Sequence, residues 1–338
     1  MEKITNQKIL ITGASGFLGG RLLKHFTQAY PDAEFLGMGR RSDRQAEFKS
    51  LGCAFQTGDL LNTDDCQSLT AGQDAIIHAA AMSSPWGRYE DYYAANVQAT
   101  RNLLDAAQAN GVKRFVLIST PSVYQNYKDR LNVRESDPLP KKTANFYAAT
   151  KLEAERITLT RNGQDIETIA IRPRAIIGAE DAVIFPRVLR AYAEGKLRII
   201  GSGKNRVDLT CAQNVIEAVR CCLLAPENAL GRPYNISNDE PIELWTAINY
   251  MLEQLHLKPV TARLPTPLAM TIAGLVELWA RWFGKGKEPA MTRMGISYLA
   301  NSLTMDISQA KEKLGYAPVQ TTNEGIQEFV AWYQQQPK

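Results

Sequence analysis

Histidine and cysteine are scarce in this 338-residue chain. Only three histidines occur, His25, His78 and His256, far apart and without paired ligands at metal spacing. No metal centre is expected, and each histidine reads as structural. The five cysteines, at 53, 66, 211, 221 and 222, are odd in number, irregular in spacing and free of any CxxC. That pattern argues against a disulfide framework and suits reduced thiols. A charge excess is missing as well: 39 Lys and Arg against 35 Asp and Glu leave +4, and the basic residues are scattered. Nucleic acid is therefore not an expected partner. Long apolar runs are absent too. LPTPLAMTIAGLV, residues 264–276, carries no charge but holds two prolines and stops at Glu277, well short of the ~20 apolar residues of a spanning helix. MEKITNQKILITG lacks the apolar core of a secretory leader, so no transmembrane segment and a cytoplasmic location are expected.

What the chain does have is alternation. KILIT (8–12) is a short apolar run that ends at a glycine cluster, and FLGGRLLKHFTQA has helical spacing at Phe17, Leu22, Leu23 and Phe26. EFLGMG (34–39), DAIIHAA (74–80), RFVLIS (114–119) and IETIAIRP (166–173) read as strands. YEDYYAANVQATRNLLDAAQANG (89–111) reads as one long helix ending at Gly111. Short buried strands between helices predict an α/β fold with a doubly wound parallel sheet. The regular alternation then stops. Residues 184–206 and 241–338 are expected to form a smaller lobe, while 207–240 return the chain to the main domain begun by residues 1–183. In that lobe Leu268, Ile272, Leu275, Trp279 and Phe283 form a helical stripe. Its expected role is a core face; a lid over an apolar substrate, or peripheral attachment to lipid, are the other readings.

ILITGASGFLGG places Gly13, Gly16 and Gly19 between a strand and a helix. Glycines there allow a tight turn and close backbone approach to a pyrophosphate, and the helix N-terminus offers free N–H groups. The second strand ends at Gly39 and is followed by Arg40 and Arg41. An NAD-selective site puts a carboxylate at that point to hold the ribose 2′-hydroxyl. A small residue followed by guanidinium groups suits a 2′-phosphate instead, so NADP(H) is the preferred expectation, with NAD(H) kept open. Asp59, in TGDLLN, stands where it could receive the adenine edge.

NFYAATKLEAER supplies the chemistry. Residues 143–161 predict a helix with Tyr147 and Lys151 one turn apart on the same face and Ala148, Leu152 and Leu159 on an apolar one. A free tyrosine titrates near pH 10; a neighbouring ammonium favours the phenolate and lowers that value. A tyrosine so tuned exchanges a proton with a carbonyl or alcohol oxygen. Ser119, Thr120 and Ser122 follow a strand and point hydroxyls into the crevice where such sheets bind ligands.

The motifs TGASGFLG, GDL, HAAA, ANVQATRNLL, STPSVY, YAATK and RPRAIIG cover most of the chain in the order of one family. The chain resembles the extended short-chain dehydrogenases/reductases, of the NAD-dependent epimerase/dehydratase superfamily. Within it, PWGRYEDYYAAN, RPRAIIGAED, GSGKNRVDLT, YNISNDEPIELW and GKEPAMTR look closest to the 3β-hydroxysteroid dehydrogenase branch, in particular to its 2-alkyl-3-oxoalkanoate reductases. The resemblance implies a Rossmann-type sheet with a C-terminal substrate-binding lobe. It implies Tyr147 as acid/base, Lys151 as the ribose-holding cation and Thr120 as the oxygen-binding hydroxyl, shared with Ser119 or Ser122. Gly13, Gly16, Phe17, Leu18 and Gly19 would cover the pyrophosphate, Asp59 and Leu60 would sit by adenine, and Ala79, Ala80 and Pro173 would lie along the cofactor. Asn96 would lie near the cofactor or cap local backbone. Dimerisation is common in that family, which makes a homodimer one expectation.

Two other functions share these motifs. Nucleotide-sugar epimerases and dehydratases of this superfamily usually carry an arginine where this chain has Val207, with Arg206 one residue early. If 206–209 is extended, Arg206 points to the opposite face. A dehydratase also wants an acidic pair beside the hydroxyl, which STPSVY lacks. A lipid-like ketone or alcohol fits better, as do Trp245, Trp279, Trp282 and Phe283. A non-catalytic NADP(H) sensor tends to lose the tyrosine or the lysine; both are present here.

Overall fold

The computed structural model describes residues 4–84, 86–283, 288–289 and 291–336. Seven parallel strands form the main sheet: β1 (Lys8–Thr12), β2 (Glu34–Gly39), β3 (Ala54–Thr57), β4 (Ala75–His78), β5 (Arg114–Ile118), β6 (Glu167–Pro173) and β7 (Pro233–Ile236). Their spatial order is β3-β2-β1-β4-β5-β6-β7. Both faces are covered, which is why the strands are continuous apolar runs: Ile9, Leu10 and Ile11, or Phe115, Val116 and Leu117, have no exposed surface. Leu22, Leu23 and Phe26 of the Phe17–Ala29 helix pack on one face with Val215, Ile216 and Val219 of the Ala212–Leu223 helix. Leu103, Leu104 and Ala107 of the Ala99–Ala109 helix pack on the other. The sheet reverses direction of winding between β1 and β4, and ligands of such sheets bind outside the carboxyl ends of the strands at that point.

The expected long helix is broken. Tyr89–Tyr92 is α-helical, Tyr93–Gln98 is a π-helix and Ala99–Ala109 resumes the α form. A π-turn shifts the phase of the side chains, and here it turns Asn96 into the interior.

A second apolar cluster gathers Phe185, Leu189, Ile199, Trp245, Ile248, Met251, Ile296 and Phe329. Beside it lies a small sheet in the order Ile242–Glu243, Arg206–Val207, Leu303–Met305, Arg130–Val133. Ile307, Ala310, Leu314 and Tyr316, from the far end of the chain, pack in the core of the main sheet.

The Thr266–Phe283 helix corrects one expectation. Its core-facing residues are Ala269 and Ala273. The large apolar stripe faces outward, with Leu275 63% and Trp282 77% exposed and Leu268, Trp279 and Phe283 also at the surface. The helix is apolar nearly all round, so a 3.6-residue period fits two stripes, and the one made of small alanines is buried. The lid and lipid readings both require the exposure observed. No described helix is long and apolar enough to cross a membrane. Trp245 does not face a substrate either: it lies in the second core and its indole N–H donates to Leu299 O at 3.2 Å.

The Phe146–Thr160 helix is held to the sheet by charge. Glu155, fully enclosed, pairs with Arg172 of β6, whose Nε donates to Oε2 at 2.9 Å. Ser119 Oγ donates to the same oxygen at 2.6 Å, and Arg172 also donates to the Tyr124 hydroxyl. The Tyr124 hydroxyl in turn donates a hydrogen bond to Asn235 Oδ1 at 2.8 Å. Removing one partner of such a pair leaves a buried charge alone, so Arg172→Met or Glu155→Gln is expected to cost about 3–5 kcal/mol. Urea unfolding of the two single variants checks this; a loss within measurement error in both would exclude the pair as an anchor.

Candidate active site

The glycine turn is built by steric necessity. Gly13 has φ +73°, and a Cβ there would stand 2.7 Å from Ala80 N. A Cβ on Gly19 would stand 2.3 Å from Gly13 O, so strand and helix approach as closely as backbones can. Gly16 caps the Phe17–Ala29 helix with no side-chain bond, and its first turn contains no acid. Phe17 and Leu18 begin that helix, leaving its first N–H groups and positive dipole end for an anion. Gly39, at the end of β2, makes room for Ser15: its Cβ would meet Ser15 Oγ at 2.5 Å.

A hydrogen-bonded chain sets the facing loop. Thr12 Oγ1 accepts the Ala80 N–H at 3.2 Å and lies 2.8 Å from His78 Nδ1. His78 Nε2 lies 2.9 Å from Thr100 Oγ1, which donates to Asn96 O at 2.6 Å. With the Thr100 proton committed, His78 carries its proton on Nε2 and accepts from Thr12 on Nδ1. The imidazole is neutral; burial first, then the Lys151 charge, push it down to about 3. Ala79 and Ala80 are half-buried beside Gly13. Asn96 takes the local role of its two expected ones. Its Oδ1 accepts from Met82 N at 2.7 Å, and its Nδ2 donates to Met82 O and Thr150 Oγ1. Both amide protons are spent on protein.

At the end of β2 no carboxylate follows Gly39. Arg40 and Arg41 are exposed; Arg41 reaches Ser15 O at 3.3 Å and pairs with Asp43 at 3.4 Å. Arg44, which sequence reading passed over, donates to Gly16 O at 3.3 Å but is bound by Glu47 and Glu180. Asp59 is exposed and uses one carboxylate oxygen on Leu61 N at 3.0 Å, and Leu60 is buried beside it. A dinucleotide fits this set: a glycine cradle with no room for side chains, an uncapped helix N-terminus and the exposed guanidinium groups of Arg40 and Arg41.

Tyr147 and Lys151 stand in the first two turns of the Phe146–Thr160 helix, whose N-cap Asn145 accepts from Ala148 N at 2.7 Å. Lys151 is buried and donates to Ile118 O at 2.7 Å; burial brings its pKa down to about 8, against a pull upward from Glu155. The phenol of Tyr147 departs from expectation. Burial pushes it up to about 12, Tyr298 and Tyr92 add to the rise, and the Thr120 hydroxyl opposes it. The Lys151 amine is directed at the end of β5, and protein groups alone hold the phenol protonated rather than tuning it down.

The three hydroxyls after β5 part ways. Thr120 Oγ1 accepts from Ser122 N at 3.1 Å, which leaves its proton for another acceptor. Ser119 does not share that task, since it is bonded inward to Glu155. Ser122 Oγ lies 3.1 Å from Tyr298 Oη, brought in by the Arg293–Ala300 helix. Pro173 is buried at the end of β6, and Arg174 follows it with its guanidinium 5.5 Å from the Tyr298 ring centre. Tyr298 and Arg174 were not found from sequence. Arg174 stood within the quoted RPRAIIG, but Tyr298 lies 151 residues from Tyr147 and follows no motif.

Residues 9–237 match the model of the NAD dependent epimerase/dehydratase family. The chain belongs to that family. The 2-alkyl-3-oxoalkanoate reductase of Shewanella oneidensis is 32% identical over 333 residues, covering 95% of this chain and 85% of that one. The 3beta-hydroxysteroid-dehydrogenase/decarboxylase isoform 1 of Arabidopsis thaliana is 35% identical over 301 residues, 84% and 69% of the two chains. Among solved structures, UDP-glucuronic acid 4-epimerase of Bacillus cereus with NAD superposes with a TM-score of 0.75 at 24% identity, over 97% of this chain and 99% of that one. Members of this epimerase/dehydratase family are NAD(P)-dependent dehydrogenases, reductases, epimerases and dehydratases, and this chain has their fold.

His78 gives the site a pH signature. Below about pH 6.5 the unfolded chain takes up a proton that folded His78 refuses until about 3, so stability falls as pH drops through that window, by about 1.4 kcal/mol per unit. His78→Gln should flatten the slope. Urea midpoints across the window, wild type against variant, measure the difference; parallel curves would show that His78 is not held neutral.

Proposed function

We propose that the protein is an NADP(H)-dependent oxidoreductase that interconverts a ketone and a secondary alcohol on a lipid-like substrate, of the 2-alkyl-3-oxo acid or 3-ketosteroid type. The observation that carries this reading is the convergence of Tyr147, Lys151 and Thr120 at the carboxyl end of β5, on the same side of the sheet as the glycine turn. A nicotinamide, when bound, supplies or accepts the hydride. The Thr120 hydroxyl, whose proton faces the Tyr147 oxygen in the free protein, turns it to the carbonyl oxygen when substrate binds. Tyr147, protonated at neutral pH, delivers the proton to that oxygen, and a phenol held in its acid form suits the reducing direction. Lys151, buried one turn further along, carries the positive charge next to the site. The relatives named as reductase and steroid dehydrogenase act on such groups. A nucleotide sugar is less well served: Val207 is buried, and Arg206 is exposed and donates to Pro241 O at 3.2 Å.

Tyr147→Phe is expected to lower kcat by about 10²- to 10⁴-fold while NADPH binds nearly as well as to the wild type. The assay follows NADPH oxidation with a 2-alkyl-3-oxo acid, a 3-ketosteroid and a 4-keto nucleotide sugar. Activity retained in that variant would sink the mechanism.

For the cofactor, Gly39 without an acid and the exposed Arg40 and Arg41 support a 2′-phosphate. The double change to Ala at 40 and 41 should weaken NADPH by roughly 10- to 100-fold and NADH very little. Titrations with both nucleotides decide; equal losses refute the assignment.

A further inference from the structure

Among the described residues Arg174 is a charge without an ion-paired or hydrogen-bonded partner. It exposes 6% of its surface, and its Nε is enclosed with no hydrogen-bond partner. Its backbone is fully engaged, N–H to Thr210 Oγ1 at 3.1 Å and C=O from the same hydroxyl at 2.5 Å. The guanidinium makes no ion pair or hydrogen bond among the described residues. Asp208 faces it electrostatically, yet the two do not pair: one Asp208 oxygen accepts from Met305 N at 2.6 Å and the other is buried without a partner. Burying an unpaired guanidinium costs several kcal/mol. Proteins retain such a group where a ligand completes it.

Its place says which ligand. Arg174 follows β6, and Thr120 follows the neighbouring β5. Tyr298 links Arg174 to the turn that follows Thr120, its ring centre 5.5 Å from the guanidinium carbon and its hydroxyl 3.1 Å from Ser122 Oγ. The glycine turn follows β1, three strand spacings away, about 14 Å at ~4.8 Å per strand. Cofactor phosphates held there do not reach Arg174, so the missing partner belongs to the substrate. A planar fork of donors fits a carboxylate. In a 3-oxo acid the carboxylate stands one carbon beyond the reacting carbonyl's neighbour, close to the oxygen that Thr120 and Tyr147 hold.

We propose that Arg174 anchors the carboxylate of a 3-oxo or 3-hydroxy acid, so that the enzyme selects acids over the matching esters and neutral ketones. The proposal rests on the ketone/alcohol reading above and narrows it to the acid class. Arg174 positions the substrate; proton transfer stays with Tyr147.

The test uses the full chain with NADP⁺ and a 2-alkyl-3-hydroxy acid or its methyl ester, for wild type, Arg174→Gln and Arg174→Lys. Wild type should favour the acid in kcat/KM by roughly 10- to 100-fold. Arg174→Gln should abolish the preference, chiefly through KM for the acid, with the NADPH dissociation constant unchanged. Arg174→Lys keeps the charge without the fork and should fall between the two. Wild type taking the ester equally well, or a preference that survives in Arg174→Gln, overturns the anchor. So does a loss of NADPH affinity with the preference intact, which would assign the arginine to the cofactor. If wild type oxidises neither compound, the reductase reading fails separately, and thermal shifts with the acid and the ester judge the anchor. Acid-selective stabilisation that depends on Arg174 supports it; stabilisation without selectivity overturns it.

Discussion

Everything at the site hangs from the buried pair of Glu155 and Arg172. Two full charges survive out of water only when their remaining protons and lone pairs are engaged. Here the partners come from Ser119 at the end of β5, Tyr124 in the turn after Thr120, and Asn235 on β7 through Tyr124. The network therefore fixes the rotation of the Phe146–Thr160 helix about its axis as well as its distance from the sheet. Lys151 lies one turn before Glu155 and Tyr147 one turn before that, so both are aimed once Glu155 is pinned.

Polar groups near the carboxyl ends of the strands fall into two kinds. Thr12, His78, Thr100, Asn96 and Ser119 spend their donors on one another, on backbone and on the Thr150 and Glu155 side chains. They hold loops in place and have little left to offer a ligand. Thr120 turns its hydroxyl to the phenol of Tyr147, and Arg174 keeps an enclosed Nε donor that nothing in the described protein accepts. Buried polar groups are normally satisfied, so an unsatisfied one marks where the protein expects something else. The two follow adjacent strands, and Tyr298, from the second apolar cluster's side of the molecule, reaches both Arg174 and Ser122 in the turn after Thr120.

The parts legible in the sequence were those decided locally. The glycine turn, the apolar strands and the Tyr147–Lys151 spacing each depend on neighbours in the chain, and the family motifs added their order. What was hidden depends on distance or on competition. Glu155 and Arg172 are ordinary charges until β6 is laid beside the helix. Asn96 looked equally suited to cofactor or backbone, and only its hydrogen bonds to Met82 and Thr150 show that its amide is spent. The 266–283 helix presented two apolar stripes, and burial chose the alanines because small side chains allow closer packing. The phenol of Tyr147 was expected to be lowered by Lys151, but that amine is spent on Ile118 O, and desolvation and the neighbouring tyrosines raise the phenol instead.

One pairing has a consequence for how the chain is made. The strand Arg130–Val133 lies a few residues after Thr120, yet its partner in the small sheet is Leu303–Met305. During synthesis that strand emerges with its hydrogen-bonding edge open, and it stays open until about 170 further residues have been added. Non-local parallel pairing is slow, and open edges attract other chains. The main sheet, complete once Ile236 is out, is the platform that must hold this edge near the nascent protein until its distant partner arrives.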